Sequence, residues 1–375
     1  MLKLFQTCMN LFVLLNTNED ILKNVGNQIF PILGKKILWK LTICLWLNIF
    51  FKTSSLVLSR RKRCTFIECT EQEVAYISTM DYVSFIILSS GLRFHYVTKG
   101  DHRKPLMLFL HGFPENWYSW RYQLHEFSRH YHTVALDLRG CGDSDAPVQL
   151  EEYSLQTLLY DIRDAIDELG HTSCILVGHD WGGMLAWHFA LERPDMVQLL
   201  IVMNAPHPAS WLDAVLRRPS QLLRSGHACF FQLPLLPEIV LSLEDFKLVR
   251  SLFCGKNLGI KNKDRRLTES QLEGYLYRLS QPGGLTAPLN YFRSLLSNTL
   301  YKHQEVGVPC MLIWGEADNI LVEGMSGGTR PYVRGPVVIH TIPECSHWVQ
   351  QDQPEIVNKL IWDFVLDKDI IKHNH

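Results

Sequence analysis

The sequence of 375 residues contains no CxxC pair, no HExxH, no GxxxxGK[ST] and no internal repeat. These absences remove paired-thiolate and helix-borne zinc sites, the P-loop nucleotide site and repeat architectures from the reading. Charge of one sign is also lacking. The net charge is −1, with 20% charged residues, which gives no field for nucleic acid or a highly charged substrate. Ten cysteines lie scattered without regular spacing and read as reduced, buried small hydrophobes rather than a disulfide framework. Apolar residues, by contrast, make up 47% of the chain, ample for one large domain or two small ones.

The N-terminal segment, residues 1–75, has its own character. Leu41 to Phe51 reads LTICLWLNIFF, preceded by Ile37-Leu38-Trp39 and followed by TSSLVL after Lys52. Lys35, Lys36 and Lys40 stand on one side and Arg60-Arg61-Lys62-Arg63 on the other. The core run is shorter than the roughly 20 apolar residues of a spanning helix, but end lysines can snorkel. The expectation is a single-pass membrane anchor at about residues 37–58, with the endoplasmic reticulum as its first candidate location. It would place membrane lipid beside the protein.

Residues 76–375 read as globular. Ser84–Leu88 and Leu92–Val97 flank Ser89-Ser90-Gly91, a hairpin pattern. Strand patterns then recur at Leu106–Leu110, Thr133–Leu136, Cys174–Val177, Leu199–Met203, Cys310–Ile313 and Val337–Ile342. Helical patterns fall at Trp117–Phe127, Leu155–Leu169, Gly182–Leu191 and Pro354–Leu366. Alternating strands and helices predict an α/β fold, a mostly parallel sheet covered on both faces. The rhythm breaks between about His207 and Tyr301, a helix-rich stretch with five prolines at 219, 234, 237, 282 and 288. It reads as a helical cap inserted over the strand ends, where open α/β sheets bind their ligands.

Three residues at strand ends carry candidate chemistry. Asp180 lies in GHDWGG, where small residues bracket it as they bracket the serine of a nucleophile elbow; Asp318 lies in WGEAD and His347 in PECSHW. Their chain order of nucleophile, acid and histidine is that of α/β-hydrolase triads. No serine occupies an elbow, which excludes an ordinary serine esterase. His111-Gly112-Phe113-Pro114 follows a strand directly, so the backbone N–H groups of Phe113 and Trp181 can form an oxyanion hole.

The segments HGFPENWYSWR, ALDLRGCGDSDAP, GHDWGG, NAPHP, WGEAD and SHWVQQDQP together resemble the α/β-hydrolase epoxide hydrolases, in particular the membrane-anchored epoxide hydrolase 3/4 group. The likeness runs from about Gly91 to Leu366. It implies hydrolysis of apolar, lipid-derived epoxides to vicinal diols, with water as co-substrate and no metal or cofactor. Asp180 would attack saturated carbon and form an alkyl ester. His347, oriented by Asp318, would then activate water. His111, Trp181, Phe230 and Phe292 would contact substrate.

The chain departs from the family in its cap. The family places two tyrosines there to hold the leaving oxygen. The later one falls at Phe292, and Tyr291 stands one residue before it, about 100° away on a helix. The early one falls at Phe230 if the Phe-Gln pair of CFFQLP is aligned. Phenylalanine donates no hydrogen bond, and a lost donor costs about 2.7–4 kcal/mol of transition-state stabilisation by oxyanion-hole analogy. Tyr291 is therefore a candidate proton donor, and His227, Gln232 and Tyr275 are substitutes for it. Two other readings stay open. One is a haloalkane dehalogenase-like hydrolase with the same nucleophile, with Trp181 and Trp211 as its indoles; the other is a hydrolase fold that binds lipid with impaired turnover.

Overall fold

The computed structural model describes residues 82–298, 305–321 and 324–367. The apolar run at 37–58 lies outside them. Among the described residues no helix is long and apolar enough to cross a membrane.

Eight strands form one sheet in the order β1-β2-β4-β3-β5-β6-β7-β8. They are β1 Tyr82–Ile87, β2 Arg93–Lys99, β3 Leu106–Leu110, β4 His132–Leu136, β5 Cys174–His179, β6 Val197–Met203, β7 Cys310–Gly315 and β8 Val337–Ile342. The β1–β2 and β2–β4 pairs are antiparallel and the remaining pairs are parallel. Strand β3 has β4 on one side and β5 on the other. The winding therefore reverses there, and the ends of β3 and β5 open a crevice of the kind in which such sheets bind ligands.

The continuous apolar runs have a direct cause. Successive side chains point to opposite faces, and both faces are covered. Leu106, Leu108 and Leu110 of β3 enter one core, with Leu176 of β5, Leu200 of β6 and Leu312 of β7. Met107 and Phe109 enter the other, with Val177, Ile201 and Ile313. Each fully buried side chain of this size contributes roughly 1.5–3 kcal/mol. The covering helices are α1 Arg121–Phe127, α2 Leu155–Glu168 and α3 Asp180–Glu192. Trp117–Trp120, expected as the start of α1, is instead one 3-10 turn capped by the Asn116 side chain.

Between β6 and β7 the chain is helical: α4 Pro208–Arg217, α5 Pro219–Arg224, α6 Gly226–Phe230, α7 Leu236–Cys254, α8 Glu269–Leu279 and α9 Thr286–Asn298. Helix α7 is broken at Leu243–Phe246, where three residues have positive φ. These helices share a core of their own, including Phe231, Val249, Phe253, Leu276 and Phe292, and Trp348 joins it from beyond β8. The Trp348 indole N–H donates to the carbonyls of Leu252 and Leu258 at 2.8 and 3.0 Å, which ties the helices to the sheet. Two final helices, α10 Val349–Asp352 and α11 Pro354–Val365, close the fold.

Candidate active site

Asp180 sits at the turn from β5 into α3 with φ 51°, the left-handed region that few non-glycine residues enter. Its neighbours make the turn possible. A Cβ at Gly182 would run into the Leu110 carbonyl, and one at Gly112 would lie 2.5 Å from the Asp180 Cβ. The two loops can therefore meet only if both positions are glycine. The Phe113 N–H then donates to Asp180 Oδ1 at 2.9 Å. The carboxylate also occupies the first turn of α3, where the helix dipole favours negative charge.

The ends of β7 and β8 bring in the other two residues. Asp318 Oδ1 accepts the Ile320 and Leu321 N–H groups at 2.7 and 3.0 Å, and Oδ2 accepts Asn204 Nδ2 at 2.5 Å. His347 Nδ1 donates to Asp318 Oδ2 at 2.7 Å. Its Nε2 lies 3.5 Å from Asp180 Oδ2, an ion-pair separation rather than an aligned hydrogen bond. The Asp180 side chain is 21% exposed whereas that of His347 is 1% exposed, so a ligand reaches the carboxylate first.

The charges reinforce one another. Burial alone would raise the pKa of Asp180, but the contact and charge of His347 and the Phe113 N–H bring it down to about 2. Burial likewise raises and His347 lowers Asp318, with a net downward shift. Burial lowers His347, yet Asp318 and Asp180 outweigh it and push the imidazole up to about 10. At neutral pH the cluster therefore holds an imidazolium between two carboxylates.

A stability profile follows from these directions. The lowered carboxylates contribute stability that is complete above their ordinary value of 3.8 and is lost as pH falls toward about 2. Raised His347 contributes stability that is complete below 6.5 and is lost as pH rises through about 10. Thermal unfolding of the wild type and of His347→Gln, followed across pH, should show their difference largest between 3.8 and 6.5 and shrinking on the alkaline side. A difference that grows with rising pH would contradict the charge state assigned to His347.

Below this cluster lies a pair to which the sequence reading gave no role. His179 Nδ1 is 2.7 Å from Glu115 Oε2 and its Nε2 is 2.9 Å from the His347 carbonyl oxygen. Both ring nitrogens are thereby spent on protein oxygens. Glu115 also accepts Gly112 N–H and the amides of Gln350 and Gln351 at 3.0–3.1 Å. The pair thereby joins the His111–Pro114 loop to the backbone that carries His347. Glu115, Gln350 and Gln351 all lay within quoted motifs, but nothing in their spacing marks a contact across more than 200 residues.

A cavity of about 390 Å³ opens from Asp180 toward the cap helices. Phe113, Trp181, Phe231 and Phe292 line it together with Leu241 and Leu252, which makes its walls mostly apolar. Phe292 stands edge-on to Trp181 and Phe113, with ring centroids 4.7 and 5.2 Å away.

Several sequence expectations are corrected here. Tyr291, offered as proton donor, faces away from the cavity. Its hydroxyl donates to the Arg139 carbonyl at 2.9 Å, its ring packs against Tyr153, and burial pushes its pKa well up. The reason is the helical 100° step: with Phe292 turned to the cavity, Tyr291 must point at the loop after β4. His111 does not contact the cavity either. Its ring is fully buried, with Nδ1–H on the Gly112 carbonyl and Nε2 accepting Leu138 N–H, so it pins its own loop. Tyr275 bonds Ser119 and Gln351. Gln232 donates to the Phe292 carbonyl at 2.8 Å. Of the substitute donors, His227 alone lines the cavity with Asp180.

A sheet of this order, with an acid at the elbow and a histidine and second acid on adjacent strand ends, defines an α/β hydrolase. The family model for the alpha/beta hydrolase fold matches residues 105–354. The chain is 54% identical to epoxide hydrolase 3 of Xenopus tropicalis over 286 residues, 76% of this chain and 78% of that one. It is 50% identical to epoxide hydrolase 4 of Homo sapiens over 282 residues, 75% of this chain and 78% of the other. A crystal structure of the Bacillus megaterium epoxide hydrolase with an inhibitor aligns with TM-score 0.68 and 32% identity, covering 76% of this chain and all of that one. The chain belongs to the epoxide hydrolases of the α/β-hydrolase fold.

Proposed function

We propose that this protein hydrolyses apolar epoxides to vicinal diols through a covalent ester on Asp180. The observation that supports this most is a carboxylate held ionised at the floor of an apolar cavity, with an imidazole 3.5 Å away. An epoxide presents saturated carbon and a strained C–O bond. An ionised carboxylate attacks such carbon without first losing a proton.

The two oxygens of Asp180 divide the work. Oδ1 is engaged by the Phe113 N–H, so Oδ2 is the attacking atom. When Oδ2 bonds to carbon, the C–O bond of the ring breaks and its oxygen takes up a proton. Oδ1 becomes the ester carbonyl oxygen. It keeps the Phe113 N–H, and we assign that N–H together with the Trp181 N–H to stabilising the charge that develops as water adds. Alkylation also changes His347. The ester carries no charge, so one of the two carboxylates that hold the imidazolium is gone, and the ring releases its proton and becomes a base. It takes a proton from water as the oxygen adds to the ester carbon. The ester C–O bond then breaks, the leaving diol oxygen takes the proton of the new carboxylic acid, and Asp180 returns as a carboxylate beside imidazolium. Asp318 keeps the ring oriented throughout. The apolar segment at 37–58 we assign to holding this enzyme at a membrane, where apolar epoxides partition; this rests on its hydropathy alone.

Single turnover in ¹⁸O water is the test. Oxygen from water should enter the peptide that carries Asp180, and the first diol released should carry unlabelled oxygen from the enzyme. Label in the diol with none in the Asp180 peptide would mean direct attack by water and would overturn the covalent route.

A further inference from the structure

Ring opening leaves an oxygen that must gain a proton, and among the described residues the cavity lining contains no phenol. Phe292 holds the relevant wall position and Tyr291 points elsewhere. The polar groups that front the cavity are mostly committed. Ser251 donates to Leu248, Asn319 to Asn257, and Gln221 to Ser225. Arg224 donates Nη1 to the Asp318 carbonyl at 3.1 Å, and a guanidinium does not give up its proton.

His227 differs from all of these. Its Nδ1–H is fixed on the Arg224 carbonyl at 2.8 Å, which leaves Nε2 as the ring's open edge. The ring lies 5.8 Å from Phe231 and 6.1 Å from Phe292, and Phe292 in turn touches Trp181 beside Asp180. It is coupled electrostatically to Asp180 and His347.

We propose that His227 supplies, from Nε2, the proton taken by the epoxide oxygen as Asp180 opens the ring. With Nδ1–H committed, Nε2 carries a proton only when the ring is imidazolium. In the step, the Nε2–H bond breaks, an O–H bond forms, and the ring is left neutral with its Nδ1–H in place. The proton that His347 releases on alkylation equals the one His227 regains, so the cycle closes with water as the sole co-reactant. The charged groups coupled to His227 are Asp180 from α3 and His347 from beyond β8; Arg224 from α5 lines the same cavity, with its guanidinium on the Asp318 carbonyl. The ring is exposed at its open edge, yet the protein packed around it lowers its pKa below the ordinary 6.5; the Arg224 carbonyl and Asp180 raise it and His347 lowers it further. The imidazolium form therefore belongs to the acid side of neutrality.

The inference rests on alkylation of Asp180, so the readout is that ester, quantified by mass spectrometry during single turnover of an apolar epoxide. In the wild type its rate of formation should fall as pH rises, approaching about tenfold per pH unit above the His227 pKa. His227→Phe should form the ester on the order of 10²-fold more slowly, with hydrolysis of the formed ester unchanged. His227→Tyr should restore formation and remove the acid dependence, because a phenol keeps its proton to about pH 10. A wild-type rate of formation that is flat between about pH 5 and 8, or His227→Phe alkylated as fast as the wild type, overturns the assignment. These outcomes are distinct from failure of the Asp180 reading, in which the wild type forms no ester at any pH.

Discussion

Asp180→Asn should abolish diol formation, with a loss on the order of 10⁶-fold, the size seen when a hydrolase nucleophile is removed. The size follows from chemistry rather than from folding. Asparagine is isosteric with aspartate, tolerates the left-handed backbone at φ 51°, and keeps an oxygen for the Phe113 N–H. What it loses is the charge that makes the oxygen a nucleophile. The same change should be visible at His347, whose imidazolium is held by Asp180 as well as Asp318. Its NMR titration should move toward lower pH in the variant. Near wild-type diol formation by freshly prepared variant, with the introduced amide shown intact by mass, would remove Asp180 from the mechanism.

His347→Gln separates the two half-reactions. Ring opening uses Asp180 and the proton donor, so the ester should still form. Its hydrolysis needs a base, and turnover should drop by about 10²–10⁴-fold, the usual contribution of general base catalysis. The ester should accumulate to nearly one equivalent per enzyme, whereas the wild type holds less. Time-resolved mass spectrometry of the Asp180 peptide reads this directly. If the variant neither accumulates ester nor turns over, His347 is required for the first step, and the division of labour between Asp180 and His347 is wrong. Glutamine also removes a cation from between two carboxylates. For that reason the variant should be compared with wild type below pH 6.5, where the stability difference is fully present and can be measured separately.

Much of this was legible in the chain itself, for physical reasons. A parallel strand inside the sheet is buried on both faces, so β3 reads as an unbroken apolar run and its limits match Leu106–Leu110. Strand β8 lies at the sheet edge and is mostly half-buried, yet its β-branched run still marks Val337–Ile342. Strand β5 runs two residues beyond its apolar stretch, through Gly178 and His179, because pairing with β6 continues to the elbow. The elbow announces itself because so sharp a turn needs small residues around Asp180. The order of Asp180, Asp318 and His347 is fixed by strand order, which sequence rhythm reveals.

The cap is where local pattern stops being informative. Tyr291 and Phe292 are adjacent, both aromatic and both compatible with a helix, and residue types alone do not say which one faces Asp180. Docking of α9 decides it: the Tyr291 hydroxyl finds the Arg139 carbonyl, and Phe292 is turned into the cavity. His111 shows the same limit, since a histidine in a loop beside the nucleophile reads as a ligand contact until its two ring nitrogens are seen to be spent on Gly112 and Leu138. Glu115 with His179, and His227 with Asp180, depend on contacts between segments far apart in the chain. The sequence by itself determined the sheet and the placing of Asp180, Asp318 and His347 at its strand ends, because each is encoded by short-range pattern. Only the tertiary structure decided which side chains face the substrate, because the facing of a helix is set by the packing of all its neighbours at once.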